Sequence, residues 1–163
     1  MSSDGFHGGT YVDDEFLKFL ENRVGKSAMD ELKEKNYGQV NYMVQQFCFK
    51  VKIPFTGEES DFEAFEWDIE RNCPALKKYV TGSLKDKLAK DDWIIDLDFK
   101  TVKGFFDPVI NEILELIDQQ LKKCSDCSLM FLVGGFSESK YLQSRVNQKF
   151  RHQIKVSGML IFH

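Results

Sequence analysis

The amino-acid sequence predicts an α/β fold in which helices surround a short buried strand. The run from Leu129 to Val133 is apolar throughout and has the length of a strand that is covered on both faces. A long amphipathic helix is predicted before it, beginning at Asp107-Pro108 with Asp as the N-cap. Gly134-Gly135 follows the strand and leads into another helix, an order typical of layered α/β cores. The apolar stripe of that last helix consists of Tyr141, Leu142, Val146 and Phe150.

The N-terminal part of the chain is predicted to be mostly helical. Residues 1–10 are rich in Gly and Ser and are expected to form a loop, after which Asp13 caps a helix that runs to about Arg23. A second helix is predicted from about Ser27 to Lys35, and a third ends before Pro54, because the residue before proline avoids helical angles. Their apolar stripes are Phe16, Leu17, Leu20 and Val24, then Met29 and Leu32, then Val40, Met43, Val44 and Phe47.

Two short strands are predicted in the middle of the chain. From Phe65 to Glu70, apolar residues alternate with Glu66, Asp68 and Glu70, which is the spacing of a strand with one solvent-exposed face. Three acids on one face repel each other unless a cation bridges them, and the sequence offers no further ligand set, so a solvated face is expected rather than a metal site. Trp93–Leu97 is the second predicted strand.

Helical segments are expected on either side of this second strand. Residues 74–90 are rich in Lys and should be partly helical, with a break near Thr81-Gly82. Asp98 is expected to cap a short helix, Phe99 to Lys103, which is separate from the helix that begins at Asp107-Pro108.

Composition limits the function classes. The chain has 163 residues, about the size of one domain, and is 42% hydrophobic and 29% charged, as in ordinary globular proteins. A formal net charge of −4 argues against nucleic acid and anionic membranes as partners, because both attract basic surfaces. No apolar run approaches the ~20 residues that cross a bilayer, and no signal peptide is recognised, so a cytoplasmic location is expected. The 15 Phe predict an aromatic core, with a peptide-binding surface as the alternative.

The four cysteines are Cys48, Cys73, Cys124 and Cys127. Cys124 and Cys127 have CxxC spacing, but a zinc site needs four ligands and no second pair lies at a suitable distance in the sequence. Redox pairs usually open a helix, whose dipole lowers the thiol pKa, whereas this pair follows one. Free, reduced thiols are therefore expected, and a redox or metal role is the alternative.

The glycine turn after the predicted strand has two interpretations. Gly134 and Gly135 allow a sharp turn and a close approach by another group, and Ser137 is expected to cap the following helix. The N-terminus of a helix presents free N–H groups and a positive dipole end, which suit a phosphate-bearing ligand. Many such turns contain glycine for tight packing alone, and this remains the alternative.

A resemblance to a known family enters at the same turn. Leu132 to Ser139, followed by Tyr141-Leu142-Gln143, closely resembles the adenosine motif of the 70-kilodalton heat-shock proteins. The Phe136-Ser137-Glu138 variant is most similar to the divergent heat shock 70 kDa protein 12A/12B branch. Gly9 to Phe16 and Phe106 to Ile110 match that branch in the expected order.

The resemblance implies part of the second lobe of an actin-like (ribonuclease H-like) ATPase. Residues 1–103 would form a helix-rich subdomain with a small sheet, and residues 104–156 an α/β core segment that carries the adenosine motif. Residues 157–163 have no match and are expected to lie outside the fold as a mobile tail. Ile154 to Val156 reads as a strand that enters a sheet.

ATP is the cofactor that the resemblance implies. The nucleotide-binding residues would be Gly8, Gly9, Lys52, Gly134, Gly135 and Phe136. In the family, the end of the third helix supplies a Glu and two basic residues that grip the adenosine. Alignment on the phenylalanines places Cys48 at the acid and Val51 at the first basic position, so only Lys52 matches, and a solvated lysine is its alternative.

The resemblance also indicates what this sequence lacks. Phosphoryl transfer needs metal-anchoring acids, phosphate clamps and a positioned water. The family's D-x-G-G-G-T hairpin, catalytic lysine segment and peptide-binding domain are not found in the sequence, so the chain alone is expected to have no ATPase activity. The expected function is the ATP-binding portion of a chaperone-type protein, complete in a longer product or with a partner. The alternative is a non-catalytic homologue that acts as a protein-interaction module, and a redox or zinc module ranks third.

Overall fold

The computed structural model describes residues 8–124 and 126–158 and is a mixed α/β structure dominated by helices. The α-helices are α1 Gly8–Val24, α2 Lys26–Lys35, α3 Tyr37–Phe47, α4 Ile69–Asn72, α5 Pro74–Tyr79, α6 Gly82–Lys90, α7 Phe99–Lys123 and α8 Lys140–Phe150. The strands are β1 Phe65–Asp68, β2 Ile94–Leu97, β3 Leu129–Leu132 and β4 Lys155–Gly158. A π-helix occupies Cys48–Lys52, and 3₁₀ helices occupy Glu59–Asp61 and Gly135–Glu138.

Aromatic side chains form the centre of the helical part. Phe16 of α1 stacks on Phe47 at the end of α3, with ring centroids 4.2 Å apart, and Trp67 of β1 meets Phe16 edge-on at 5.4 Å. All three side chains are fully buried. Aromatic pairs in these geometries contribute ~0.5–1.5 kcal/mol beyond their buried area. The aromatic core is thus confirmed, and the predicted inward stripes of α1, α2 and α3 are buried except at Leu17 and Val44, which are partly buried.

The start of α1 differs from the prediction. The helix begins at Gly8, so the predicted loop at residues 1–10 is wrong for Gly8, Gly9 and Thr10, and residues 1–7 lie outside the described residues. Asp13 does not cap α1, because the helix begins at Gly8, and its carboxylate instead accepts a hydrogen bond from Lys52. Tertiary contacts override the low helix propensity of the glycine pair here.

Strands β1 and β2 form a small antiparallel sheet in which Trp67 faces Ile95. The predicted strand β1 ends earlier than expected, since the Asp68 carboxylate accepts a hydrogen bond from the Arg71 N–H at 2.9 Å and caps α4. Glu70 therefore lies in α4, where it pairs with Lys77. Among residues 8–124 and 126–158, no group of three or more His, Cys, Asp or Glu side chains is placed to hold a metal ion. The predicted break near Thr81-Gly82 is confirmed between α5 and α6.

Helix α7 is continuous where two helices were predicted. Asp98 caps it as expected, accepting from the Thr101 N–H at 2.7 Å, but the helix runs through Asp107-Pro108 without a break. An internal proline costs ~3 kcal/mol. One unbroken buried stripe offsets that cost and keeps the helix continuous. As a result, α7 spans the predicted boundary between the subdomains 1–103 and 104–156. The stripe consists of Val102, Phe105, Phe106, Val109, Ile110 and Leu114.

Strands β3 and β4 pair in parallel, with Leu129 opposite Lys155. The prediction that β3 is covered on both faces is wrong in the described part of the chain, because Leu129, Phe131 and Val133 are exposed on one face. The other face packs on the core through Met130 and Leu132. The predicted tail is also wrong in part: residues 157 and 158 belong to β4, because parallel pairing with β3 satisfies their backbone, and residues 159–163 lie outside the described residues.

Candidate functional site

The turn after β3 is closed by the hydrogen bonds of Ser137. Its N–H and its hydroxyl both donate to the Gly134 carbonyl, at 2.9 and 2.6 Å, and the Gln143 amide donates to the Ser137 carbonyl at 2.7 Å. Gly134 has a φ of +93°, a conformation that glycine adopts readily and other residues rarely. Ser139 caps α8 by accepting from the Leu142 N–H at 3.3 Å. The prediction that Ser137 is the cap is wrong, because a 3₁₀ helix separates the turn from α8.

Gly8 and Gly135, two of the four glycines at this site, have different roles. A Cβ on Gly8 would lie 3.0 Å from the Cβ of Phe136, so the close approach of α1 to the turn depends on glycine there. A Cβ on Gly135 would meet no atom within 4 Å. Phe136 itself is anchored by stacking on Phe106 of α7, with centroids 6.3 Å apart. Gly135 is therefore not needed for packing, and its bare backbone faces open space.

The π-helix that follows α3 brings Lys52 to α1. The Ile53 N–H donates to the Cys48 carbonyl, an i to i+5 bond of 2.9 Å. This adds one residue to the turn and rotates the following residues by about 100° relative to an α-helix. The Lys52 Nζ donates to the Gly9 carbonyl and to Asp13 Oδ1, both at 2.6 Å.

Asp13 joins α1 to the π-helix through two side chains. Besides the Lys52 ammonium, its Oδ1 accepts from the Cys48 thiol at 3.4 Å. Burial, and then the neighbouring Asp13 carboxylate, raise the pKa of Cys48 to about 11. The thiol is therefore protonated at neutral pH and is available as the donor. The resemblance implies an acid at the position of Cys48, and here the Asp13 carboxylate of α1 lies beside that thiol.

These elements line one pocket with a volume of about 740 Å³. All six predicted nucleotide-binding residues line it. Ile113 of α7, Val133 after β3 and Leu142 of α8 supply apolar walls. Sequence reasoning missed Asp13, which was assigned as a cap, and it did not name Ile113 or Leu142 as binding residues. The spacing of Gly9 and Asp13, four residues apart, was the one signal that both share a helix face.

A charged cluster behind the pocket fixes α8 against α7. Asp107 accepts hydrogen bonds from the Tyr141 hydroxyl at 2.6 Å and the Lys103 ammonium at 2.7 Å, and Arg145 lies 3.4 Å away. Burial alone would raise the pKa of Asp107, but the hydrogen bonds from Lys103 and Tyr141 outweigh it and lower the pKa below its usual value. Asp107 thereby fixes the position of α8 and, with it, of Leu142, which lines the pocket.

The cysteines are free thiols in the structure. Cys124 follows α7 and is exposed, and Cys127 is partly buried. Cys73 is buried, which raises its pKa to about 11. Among the described residues, no third metal ligand lies beside the CxxC pair.

Comparisons of the chain with protein-family models, with curated proteins and with solved structures find no match. Among the residues that the structure describes, no helix is long and apolar enough to cross a membrane. The resemblance to the 70-kilodalton heat-shock family remains a prediction, and the geometry of the pocket has to support any proposal about its ligand.

Proposed function

We propose that this chain is the ATP-binding portion of a heat shock 70 kDa protein 12A/12B-like, chaperone-type protein with an actin-like (ribonuclease H-like) lobe. One observation carries the proposal. Gly8-Gly9, Lys52 and Gly134–Phe136 are far apart in the sequence, and the sequence alone predicts each of them as nucleotide-binding. All three line a single pocket.

The chemistry of the pocket suits the adenosine part of a nucleotide. Its volume falls in the range of ~300–1,000 Å³ that small-molecule sites occupy. Ile113, Val133 and Leu142 provide apolar surface for a base, while the backbone around Gly135 lies open for a ligand to approach closely. Lys52 and Asp13 supply polar contacts at the other side.

Binding without hydrolysis is the expected behaviour. Among the described residues that line the pocket, Asp13 is the only carboxylate, and the Lys52 ammonium already occupies it. Phosphoryl transfer requires acids that anchor a metal and groups that clamp the phosphates. We expect phosphate release from ATP by the purified chain to equal that of buffer.

Calorimetric titration of the chain with ADP and with ATP, each with Mg²⁺, tests the proposal. We expect saturable binding, and Gly135→Val should weaken it by about 2 kcal/mol or more, roughly 30-fold, because a branched side chain would fill the ligand's approach path. Gly38→Val is the matched control. Gly38 does not line the pocket, and a Cβ there also meets no atom within 4 Å.

Thermal unfolding of both variants shows whether they are folded. Unchanged affinity in a folded Gly135→Val chain would contradict the site. Phosphate release that copurifies with the chain and disappears in Gly135→Val would contradict the absence of turnover.

The exposed face of β3 favours a second candidate, a non-catalytic protein-interaction module. Leu129, Phe131 and Val133 are 42%, 55% and 67% exposed on neighbouring positions of one face. A parallel sheet is normally covered on both faces, so this apolar face has the character of a contact surface.

Sedimentation velocity over a range of concentrations distinguishes this candidate. Self-association that is lost in Phe131→Ser and kept in Phe49→Ser would support it, because Phe49 is also exposed but lies away from β3, in the π-helix. A monomer at all concentrations that binds ADP would favour the nucleotide function instead.

A further inference from the structure

The charges of the pocket cancel. Lys52 and Asp13 are the only charged side chains among the described residues that line it. Their Nζ and Oδ1 atoms lie 2.6 Å apart, and the two side chains are 16% and 18% exposed. Salt screens partly buried ion pairs of this kind only weakly. The Asp13 carboxylate therefore neutralises the positive charge of the Lys52 ammonium.

The hydrogen bonds of Lys52 leave little for a ligand. An ammonium group has three N–H donors, and here it donates to Asp13 Oδ1 and to the Gly9 carbonyl. An anionic ligand would have to compete with a carboxylate that the fold already holds at contact distance. The Cys48 thiol, which also donates to Asp13, helps to fix that carboxylate in place.

The second source of positive potential at the pocket is the N-terminal end of α1. Gly8 and Gly9 form its first turn and line the pocket, and the N-terminus of a helix carries about half a positive charge. Asp13 lies one turn further along the same helix. The negative charge of its carboxylate therefore offsets both the positive charge of the Lys52 ammonium and the positive potential of the helix N-terminus.

We propose that Asp13 is the specificity-determining residue of this pocket. By neutralising Lys52 it makes the pocket recognise the uncharged nucleoside part of its ligand, so that phosphate groups add little affinity. The inference rests on the proposed nucleotide function and concerns which part of the nucleotide the chain recognises.

Calorimetry with adenosine and with AMP tests this in a cycle of charge variants. The wild-type chain should bind the two ligands within about threefold of each other, because the neutralised pair offers little to a phosphate. Asp13→Asn releases Lys52 and should bind AMP about tenfold more tightly than adenosine.

Two further variants make the test specific. The double variant Asp13→Asn, Lys52→Gln removes both charges and should return the AMP-to-adenosine ratio to that of the wild type. Asp14→Asn is the matched control, because Asp14 is the next residue of α1, is exposed, and does not line the pocket. It changes the net charge by the same amount and should leave the ratio unchanged.

A wild-type preference for AMP of about tenfold or more would overturn the inference while supporting the nucleotide function. An AMP-to-adenosine ratio in folded Asp13→Asn equal to that of the wild type would also overturn the inference while supporting the nucleotide function. If Asp13→Asn does not fold, Lys52→Gln replaces it: the unpaired Asp13 should then disfavour AMP relative to adenosine, and an equal ratio would overturn the inference. Failure of the folded wild-type chain to bind either ligand would overturn the proposed function and this inference together.

Discussion

Two apolar regions of this molecule are built from similar residues and differ in how they are covered. Around Phe16 and Phe47, helices and the β1–β2 sheet close over the side chains on every side, and none is accessible. In β3, alternate residues of an equally apolar run pack on the core or face outwards, and Phe131 is more than half exposed.

The difference shows that an apolar run specifies burial only when a second layer is present. The stripes of α1 and α3 each find a partner helix nearby in the chain, so periodicity alone predicts their burial. A parallel strand needs layers on both faces, and these come from distant segments. For β3, the residues described here supply a layer on one face only.

The sharpest test of this comparison is Phe16→Ala. Phe16 is fully buried between Phe47 and Trp67, so the change should leave a cavity and lower the free energy of unfolding by about 3–5 kcal/mol. Urea unfolding followed by tryptophan fluorescence measures this. A loss below about 1 kcal/mol would mean that the helical core is loosely packed.

A smaller effect is expected for Asp107→Asn, at the junction between the two regions. The pKa of Asp107 is lowered in the folded state, so its ionised form stabilises the fold above its ordinary pKa. That contribution is lost as the pH falls through the lower, folded pKa. The variant should lose about 1–2 kcal/mol at neutral pH, and the difference from wild type should shrink below about pH 4.

Unfolding measured from pH 7 to pH 3 checks the Asp107 prediction. Asp118→Asn is the control, since Asp118 on the same helix pairs only with Lys122, a highly exposed side chain, and should contribute little. A wild-type advantage that stays constant down to pH 3 would contradict the role assigned to the Asp107 carboxylate.

The smallest effect is expected for Phe131→Ala, the counterpart of Phe16→Ala. Its ring is exposed on the open face of β3, so the free energy of unfolding should change by no more than about 0.5 kcal/mol. A loss near that of Phe16→Ala would show that this face is covered in solution and would remove the contrast between the regions.

Most helices follow from local pattern because their signals lie within a few residues of one another. The buried stripe of α8 and the Asp98 cap of α7 were predicted correctly for this reason. Errors arose where a local signal competed with distant contacts. Pro108 stays inside α7 because the buried stripe continues past it. Asp13 binds the Lys52 ammonium instead of capping a helix.

For the candidate site too, the sequence predicts some of the residues but not how they are arranged. Its glycines and Lys52 could be named from the residues and their resemblance to a family, because backbone freedom and side-chain charge are properties of single positions. Their convergence on one pocket, and the neutralisation of Lys52 by Asp13, depend on how α1, the π-helix and the turn after β3 pack together. Distances between segments so far apart in the chain are set by packing, and periodicity carries no information about them.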